Sequence, residues 1–195
     1  MAINIPRHAD HDSKLRDAGR IRAIGICNVS PGEMEEYLRC GEVVSNQFRY
    51  SMLHRDPEMD ILPRCARHGL ATLTYMSLEQ GLLAGKVGME RVFAKDEFRA
   101  NEAWNPWFAL ANRRRILDLL GGWSEITVQH DCTLAQIVLA WTLAQPGVTH
   151  VLCGARTVEQ LRDNAAAAAI QLSPDTVSRM TRDVEALGQP ERDSV

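Results

Sequence analysis

The sequence has no apolar run near the roughly 20 residues that a membrane-spanning helix needs. Its start, Met1-Ala-Ile-Asn-Ile-Pro-Arg-His8, lacks the apolar core of a secretory signal. It has no Cys-x-x-Cys pair, and its five cysteines (Cys27, Cys40, Cys65, Cys132 and Cys153) are scattered and odd in number. That speaks against a disulfide framework and a zinc site, and for reduced thiols in a cytoplasmic protein. No Gly-x-Gly-x-x-Gly follows a strand-like run, which argues against a doubly wound dinucleotide fold. Excess positive charge is missing too. With 22 Lys and Arg against 25 Asp and Glu, the net charge is −3, so no general attraction to nucleic acid or to an anionic membrane is expected. His8 and His11 lie near Asp10 and Asp12, but a frayed terminus explains them better than a metal. His54, His68, His130 and His150 have no partner at metal spacing and read as structural. What remains, 45% hydrophobic and 24% charged over 195 residues, fits one globular domain.

Along the chain, strands and helices alternate. Residues 1–12 read as an irregular, polar start. Ser13 to Ala18 read as the end of a helix closed by Gly19. Ile21–Cys27 is a nearly continuous apolar strand, as in a sheet covered on both faces. Ser30-Pro31-Gly32-Glu33 is a capping box with proline at the first helical position, and its helix runs to about Arg39. Glu42–Asn46 is the next strand and Asp56-Pro57 opens the next helix, which stops at Gly69. Leu70–Tyr75 is the third strand. A long loop with glycines at 81 and 85 follows, reaching Trp104 and Trp107. Either it is a binding loop or lid, or its tryptophans plug a gap. A helix spans Arg113 to about His130, weakened at Gly121-Gly122. Thr133 and Gln136 cap another, over Leu134–Ala144. Thr149–Cys153 is the fourth strand, and Ser173-Pro174 starts a last amphipathic helix ending at Gly188. Residues 13–188 form the expected domain and 189–195 a polar tail.

Val151-Leu-Cys-Gly-Ala-Arg156-Thr-Val-Glu-Gln160-Leu-Arg-Asp-Asn164 is the stretch around which the rest is organised. It predicts a strand, a turn that Gly154 permits, and a helix capped by Thr157 with Gln160 completing a capping box. A helix N-terminus suits an anion, and the Arg156 fork matches phosphate geometry. Gln160 and Asn164, four apart, share a face. This is a plausible site for a phosphorylated ligand, although many such turns only connect a strand to a helix. Four strand–helix alternations imply parallel βα units with right-handed crossovers. Polar residues gather where the strands end (Asn28, Asn46 with Gln47, Tyr75, Arg156), the end that carries the site in a barrel of such units.

Five ordered blocks resemble the aldo-keto reductase family. They are Gly19-Arg-Ile-Arg-Ala-Ile-Gly-Ile-Cys-Asn28, Ser45-Asn-Gln47 with Tyr50-Ser51, Tyr75-Met-Ser-Leu-Glu-Gln-Gly-Leu-Leu-Ala-Gly-Lys86, Thr133 to Val148, and Gly154 to Asn164. The resemblance covers roughly residues 14–188. It implies an α/β fold, the C-terminal half of a TIM (β/α)8 barrel, with four parallel strands alternating with helices. It also implies an NADP(H)-dependent oxidoreductase acting on a small-molecule carbonyl. By resemblance, Asn28 and Gln47 hold the nicotinamide carboxamide, and Tyr75 stacks on the ring. Leu78, Gln80 and Leu82 line the diphosphate path, mostly through backbone. Gly154, Arg156, Gln160 and Asn164 hold the adenosine end, with Arg156 near the 2′-phosphate. Cys27 replaces a usual serine, Met76-Ser77 a usual Ser-Pro, and Cys153 a common proline.

The family's catalytic Asp, Tyr, Lys and His belong to its first four strands, so the resemblance assigns no catalytic residue here. Tyr50 and Tyr75 match other positions, and Lys86 matches a loop lysine. The expectation is a reductase truncated to its cofactor-binding half and of low or no activity alone. The alternatives are a non-catalytic NADP(H)-binding or regulatory module, or a half-barrel without a ligand. An open half-barrel exposes strand edges, so a homo-oligomer or a covering partner is expected.

Overall fold

Four short parallel strands form one sheet in the order β1-β2-β3-β4: β1 Gly25–Cys27, β2 Ser45–Arg49, β3 Ala71–Tyr75 and β4 His150–Val151. The computed structural model describes residues 4–192. The chain divides into two units. The first comprises Met1–Tyr50, His54–Tyr75 and Gln145–Leu152, and holds the whole sheet. The second comprises Ser51–Leu53, Met76–Ala144 and Cys153–Val195.

In the first unit, β2 is central, with Cys27 facing Gln47 on one side and Gln47 facing Leu73 on the other. The strand was expected at Glu42–Asn46 and lies three residues later. Pairing with β1 and β3 fixes polar Gln47 as strand, and pairing with Tyr75 of β3 fixes Arg49, because strand preference follows the sheet environment more than the residue. β1 is shorter than the expected Ile21–Cys27, although Val44 N still donates to Ile24 O at 2.9 Å. β4 has two residues where Thr149–Cys153 was expected, and at its start the cause lies in side chains. Thr72 N donates to Thr149 Oγ1 (2.8 Å) and Thr149 N to Thr72 Oγ1 (2.9 Å). Threonine hydroxyls thus replace backbone rungs where β4 begins. Thr72 Oγ1 also donates to Gly147 O at 2.8 Å and Thr74 Oγ1 to His150 O at 3.2 Å. These bonds let β3 bury two threonines at little desolvation cost.

The helix α1, Ile5–Asp17, occupies what was expected to be an irregular start at residues 1–12; residues 1–3 lie outside the described residues. Asn4 caps it by accepting from Arg7 N at 3.1 Å, Pro6 sits in its first turn, and Ile5 and Ala9 are buried. That cap and proline are start signals readable in the sequence. α2, Pro31–Cys40, has the expected capping box. Its Glu33 carboxylate accepts from the Ser30 hydroxyl and backbone, which holds it below the usual carboxylate range. A short 3₁₀ turn, Asp56–Met59, precedes α3, Ile61–Arg67.

The second unit contains α4 Leu110–Gly121, α5 Ser124–Gln129, α6 Leu134–Leu143, α7 Val158–Ala166 and α8 Pro174–Leu187. The single helix expected over 113–130 is two helices. The break falls after Gly121, where Trp123 is fully buried and its Nε1 donates to Asp183 at 2.9 Å. α6 is the core of this unit, with Ala135, Ile137, Val138, Leu139, Ala140 and Trp141 all buried. Residues 189–192, part of the expected polar tail, are partly docked, since Asn112 exchanges two hydrogen bonds with the Glu191 backbone. Residues 193–195 lie outside the described residues.

The five cysteines are free thiols, Cys27 and Cys40 exposed and Cys65 buried. Burial pushes the Cys65 thiol up, against a smaller opposing pull from the Asn46 amide. A thiol reagent at neutral pH is therefore expected to label Cys27 and Cys40 first, and Cys65 only with unfolding. Labelling of Cys65 as fast as Cys40, followed by peptide mass spectrometry on the folded protein, would contradict the buried placement.

Candidate cofactor site

The first unit carries three of the expected residues at or near the carboxyl ends of its strands. Asn28 follows β1 with φ 54, a left-handed conformation that asparagine tolerates better than most residues. Its N–H donates to Gln47 O at 2.8 Å, so the end of β1 hangs on β2. Tyr75 is the last residue of β3, and its hydroxyl donates to Asn28 Oδ1 at 2.8 Å. The two side chains that the resemblance assigns to one nicotinamide group therefore touch. Tyr75 is half-buried and Asn28 is exposed. Gln47 lies in β2, half-buried.

In the second unit, Leu78, Gln80 and Leu82 share one tight turn. Leu78 O accepts from Gly81 N (2.9 Å) and Leu83 N (3.2 Å). Leu82 is fully buried and offers only backbone. Met76, Glu79 and Gln80 all have positive φ (62, 42 and 54). Three such non-glycine residues so close together hold strain, which persists only where surroundings enforce it. Glu79, 3% exposed, accepts from Ser51 Oγ at 2.5 Å and anchors the turn. Sequence reasoning missed this carboxylate, because an acidic residue in a loop with glycines gives no sign of burial. Gln80 Nε2 is buried without a hydrogen-bond partner. A donor left so costs free energy unless an acceptor arrives.

The Gly154–Asn164 stretch also lies in the second unit. Thr157 Oγ1 accepts from Gln160 N at 3.2 Å, as a capping box requires. The reciprocal bond is shifted by one residue: Gln160 Oε1 accepts from Arg156 N at 2.8 Å, in place of Thr157 N. Asn164 Nδ2 donates to Gly154 O at 3.3 Å. Gln160 and Asn164 thus brace the turn from the α7 face that both share. The Arg156 side chain is exposed.

The Aldo/keto reductase family model matches residues 5–184. The chain belongs to the aldo-keto reductase family. It is 37% identical over 175 residues to the NADH-specific methylglyoxal reductase of Escherichia coli, covering 90% of this chain and 52% of that one. It is 38% identical over 169 residues to the uncharacterized oxidoreductase Rv2298 of Mycobacterium tuberculosis, covering 86% of this chain and 50% of that one. The chain spans about half the length of these curated relatives. Among solved structures, the glycerol dehydrogenase AKR11B4 of Gluconobacter oxydans matches with a TM-score of 0.87 and 26% identity, over 98% of this chain and 57% of that one.

These matches correct the expected fold class, the C-terminal half of a TIM (β/α)8 barrel. The likeness to a full aldo-keto reductase runs through 98% of this chain and exceeds half of the other, and the family match begins at residue 5, ahead of every strand. A four-stranded parallel sheet of TIM-barrel type stands, and its assignment to the C-terminal half alone is not borne out. The relatives named are reductases, oxidoreductases or dehydrogenases, so the binding-module alternative gains nothing from them.

Aldo-keto reductases use nicotinamide cofactors, and the residues present suit such a group. The orphaned Gln80 amide offers a buried donor to an oxygen-rich diphosphate. The exposed Arg156 offers a fork to a phosphate.

Proposed function

We propose that this chain carries the cofactor-holding residues of an NADP(H)-dependent aldo-keto reductase acting on a small carbonyl compound or the matching alcohol. The observation that carries the reading is the Tyr75–Asn28 hydrogen bond at 2.8 Å. It joins the ring-stacking tyrosine to the carboxamide-binding asparagine at the ends of two parallel strands. The bound cofactor supplies a hydride. Tyr75 orients the nicotinamide face, and Asn28 and Gln47 fix its carboxamide, so one face is presented in a single geometry. The turn of Leu78, Gln80 and Leu82 receives the diphosphate. Gly154, Arg156, Gln160 and Asn164 receive the adenosine end.

Two observations divide on the phosphate. Arg156, exposed beside a capped helix start, supports NADP(H). The name of the Escherichia coli relative, specific for NADH, supports the unphosphorylated cofactor. The same name supports a short 2-oxoaldehyde as the substrate class. A cytoplasmic setting accords with five free thiols, and among the described residues no helix is long and apolar enough to cross a membrane.

Fluorescence titration of the purified chain with NADPH and NADH tests the reading. The Arg156→Ala variant is expected to lose about tenfold in NADPH affinity, the value of one charge-assisted contact at an exposed site, while NADH affinity stays unchanged. A wild type that prefers NADH, with Arg156→Ala neutral toward both, would favour the unphosphorylated cofactor. Absence of binding at millimolar concentrations of either would sink the proposal.

A further inference from the structure

The long loop between Gly88 and Ala109 is organised around one ring. The guanidinium carbons of Arg99, Arg113 and Arg91 lie 4.8, 5.1 and 5.8 Å from the Phe93 centroid, and Phe108 meets the ring edge-on at 5.6 Å. Arg113, 5% exposed, donates to Arg91 O at 2.7 Å, to Gly88 O at 3.2 Å, and to Phe108 O through both Nε and Nη2. Asn105 Nδ2 closes the far side by donating to Phe98 O at 3.0 Å. Backbone carbonyls and a π face therefore hold the loop together from within. From this frame, Arg99, ion-paired with Glu97, extends its Nη1 to Gln80 O at 3.4 Å. Gln80 is a left-handed residue whose own amide is buried and orphaned.

We propose that Arg99 is a positioning residue for the Gln80 turn, holding its carbonyl so that the turn's donors are set for the cofactor diphosphate. The inference rests on the nicotinamide-cofactor reading above. Glu97 largely neutralises the guanidinium, so Arg99 acts through Gln80, and Phe93 and Arg113 keep it in place. Left-handed Glu79 and Gln80 need such an outside hold, and Ser51 supplies another through Glu79.

Amide hydrogen exchange on the cofactor-free chain reads the hold directly. Arg99→Ala is expected to speed exchange at Gly81, Leu82 and Leu83 about tenfold, as losing a charged donor implies, while α6 amides keep their protection. Unchanged exchange at 81–83 would overturn the proposal. If Arg99→Ala also opens α6, Arg99→Lys decides by the same comparison: faster exchange confined to 81–83 supports the hold, and none refutes it.

The second readout is stopped-flow release of NADPH or NADH. Arg99→Ala is expected to raise the dissociation rate about five- to tenfold with the association rate unchanged. A merely structural role would instead shrink the binding amplitude and leave the rate alone, and would overturn the proposal. A wild type that binds neither dinucleotide defeats the cofactor reading and the diphosphate role together. Unchanged exchange in a wild type that does bind defeats Arg99 alone.

Discussion

Trp141→Ala is expected to lower the free energy of unfolding by about 3–5 kcal/mol, the range for deleting a fully buried large aromatic. Trp141 is fully buried on α6. Its indole Nε1 donates to Thr181 Oγ1 at 3.0 Å, and that hydroxyl donates to Val177 O at 2.8 Å. Alanine removes the ring and breaks this relay from α6 to α8. Two losses follow: a cavity lined by well-packed neighbours that relax only in part, and a hydroxyl deprived of its donor. Trp141→Phe separates them. It keeps most of the volume and removes the indole N–H, so about 1–2 kcal/mol is expected. Urea unfolding followed by far-UV circular dichroism measures both. An alanine variant within about 1 kcal/mol of wild type would mean that the second unit does not depend on α6 as its centre.

The parts of the fold that were legible in the sequence are those decided by local chemistry. Ser30 with Glu33 and Thr133 with Gln136 form the capping boxes that their spacing implies, because both partners belong to one turn. Gly19, at φ 68, closes α1 as a residue after a helix should. What went unread was decided at a distance. β2 lies at Ser45–Arg49 because strands pair with it on both sides, and nothing in Gln47 or Arg49 announces that. β4 begins only at His150, where Thr149 bonds through hydroxyls to Thr72, 77 positions away in the chain. α1 is the opposite case: Asn4 and Pro6 were readable start signals, outweighed by the polar surroundings.

The candidate site divides along the same line. The resemblance supplied residue identities, and geometry adds how they are held. Asn28 and Tyr75 are joined by a hydrogen bond between residues 47 apart, which no spacing rule could supply. Gln160 and Asn164 share one face of α7, yet both bond the turn that they cap, so neither was readable as a brace for that turn. Glu79 and Arg99 escaped notice because their significance lies in burial and reach. Neither is visible in a loop read only for its glycines and tryptophans.

Asn112→Ala is expected to cost about 2–4 kcal/mol and to release the C-terminal segment, because one fully buried amide satisfies three parts of the chain. Asn112 Nδ2 donates to Pro106 O (2.9 Å) and Glu191 O (2.7 Å). Its Oδ1 accepts from Glu191 N (2.9 Å) and Arg115 Nη1 (2.8 Å). Arg115 in turn donates to the carbonyls of Leu187 and Gln189 and lies over the Trp107 ring at 5.5 Å. Without the amide, Glu191 O loses the Asn112 donor, Pro106 O keeps only the Ala109 N–H, and Arg115 loses the Asn112 acceptor. Asn112→Asp tests the donor half. It keeps the acceptor for Glu191 N and Arg115, but sets a carboxylate against two carbonyl oxygens that it cannot satisfy. Its cost is therefore expected to match or exceed that of alanine at neutral pH and to shrink as acidification protonates the carboxylate, which restores one donor. Hydrogen exchange at the Glu191 amide and susceptibility to carboxypeptidase measure the release. A tail that stays protected in both variants would show that Arg115 alone suffices to hold it, and the role given to Asn112 would be wrong.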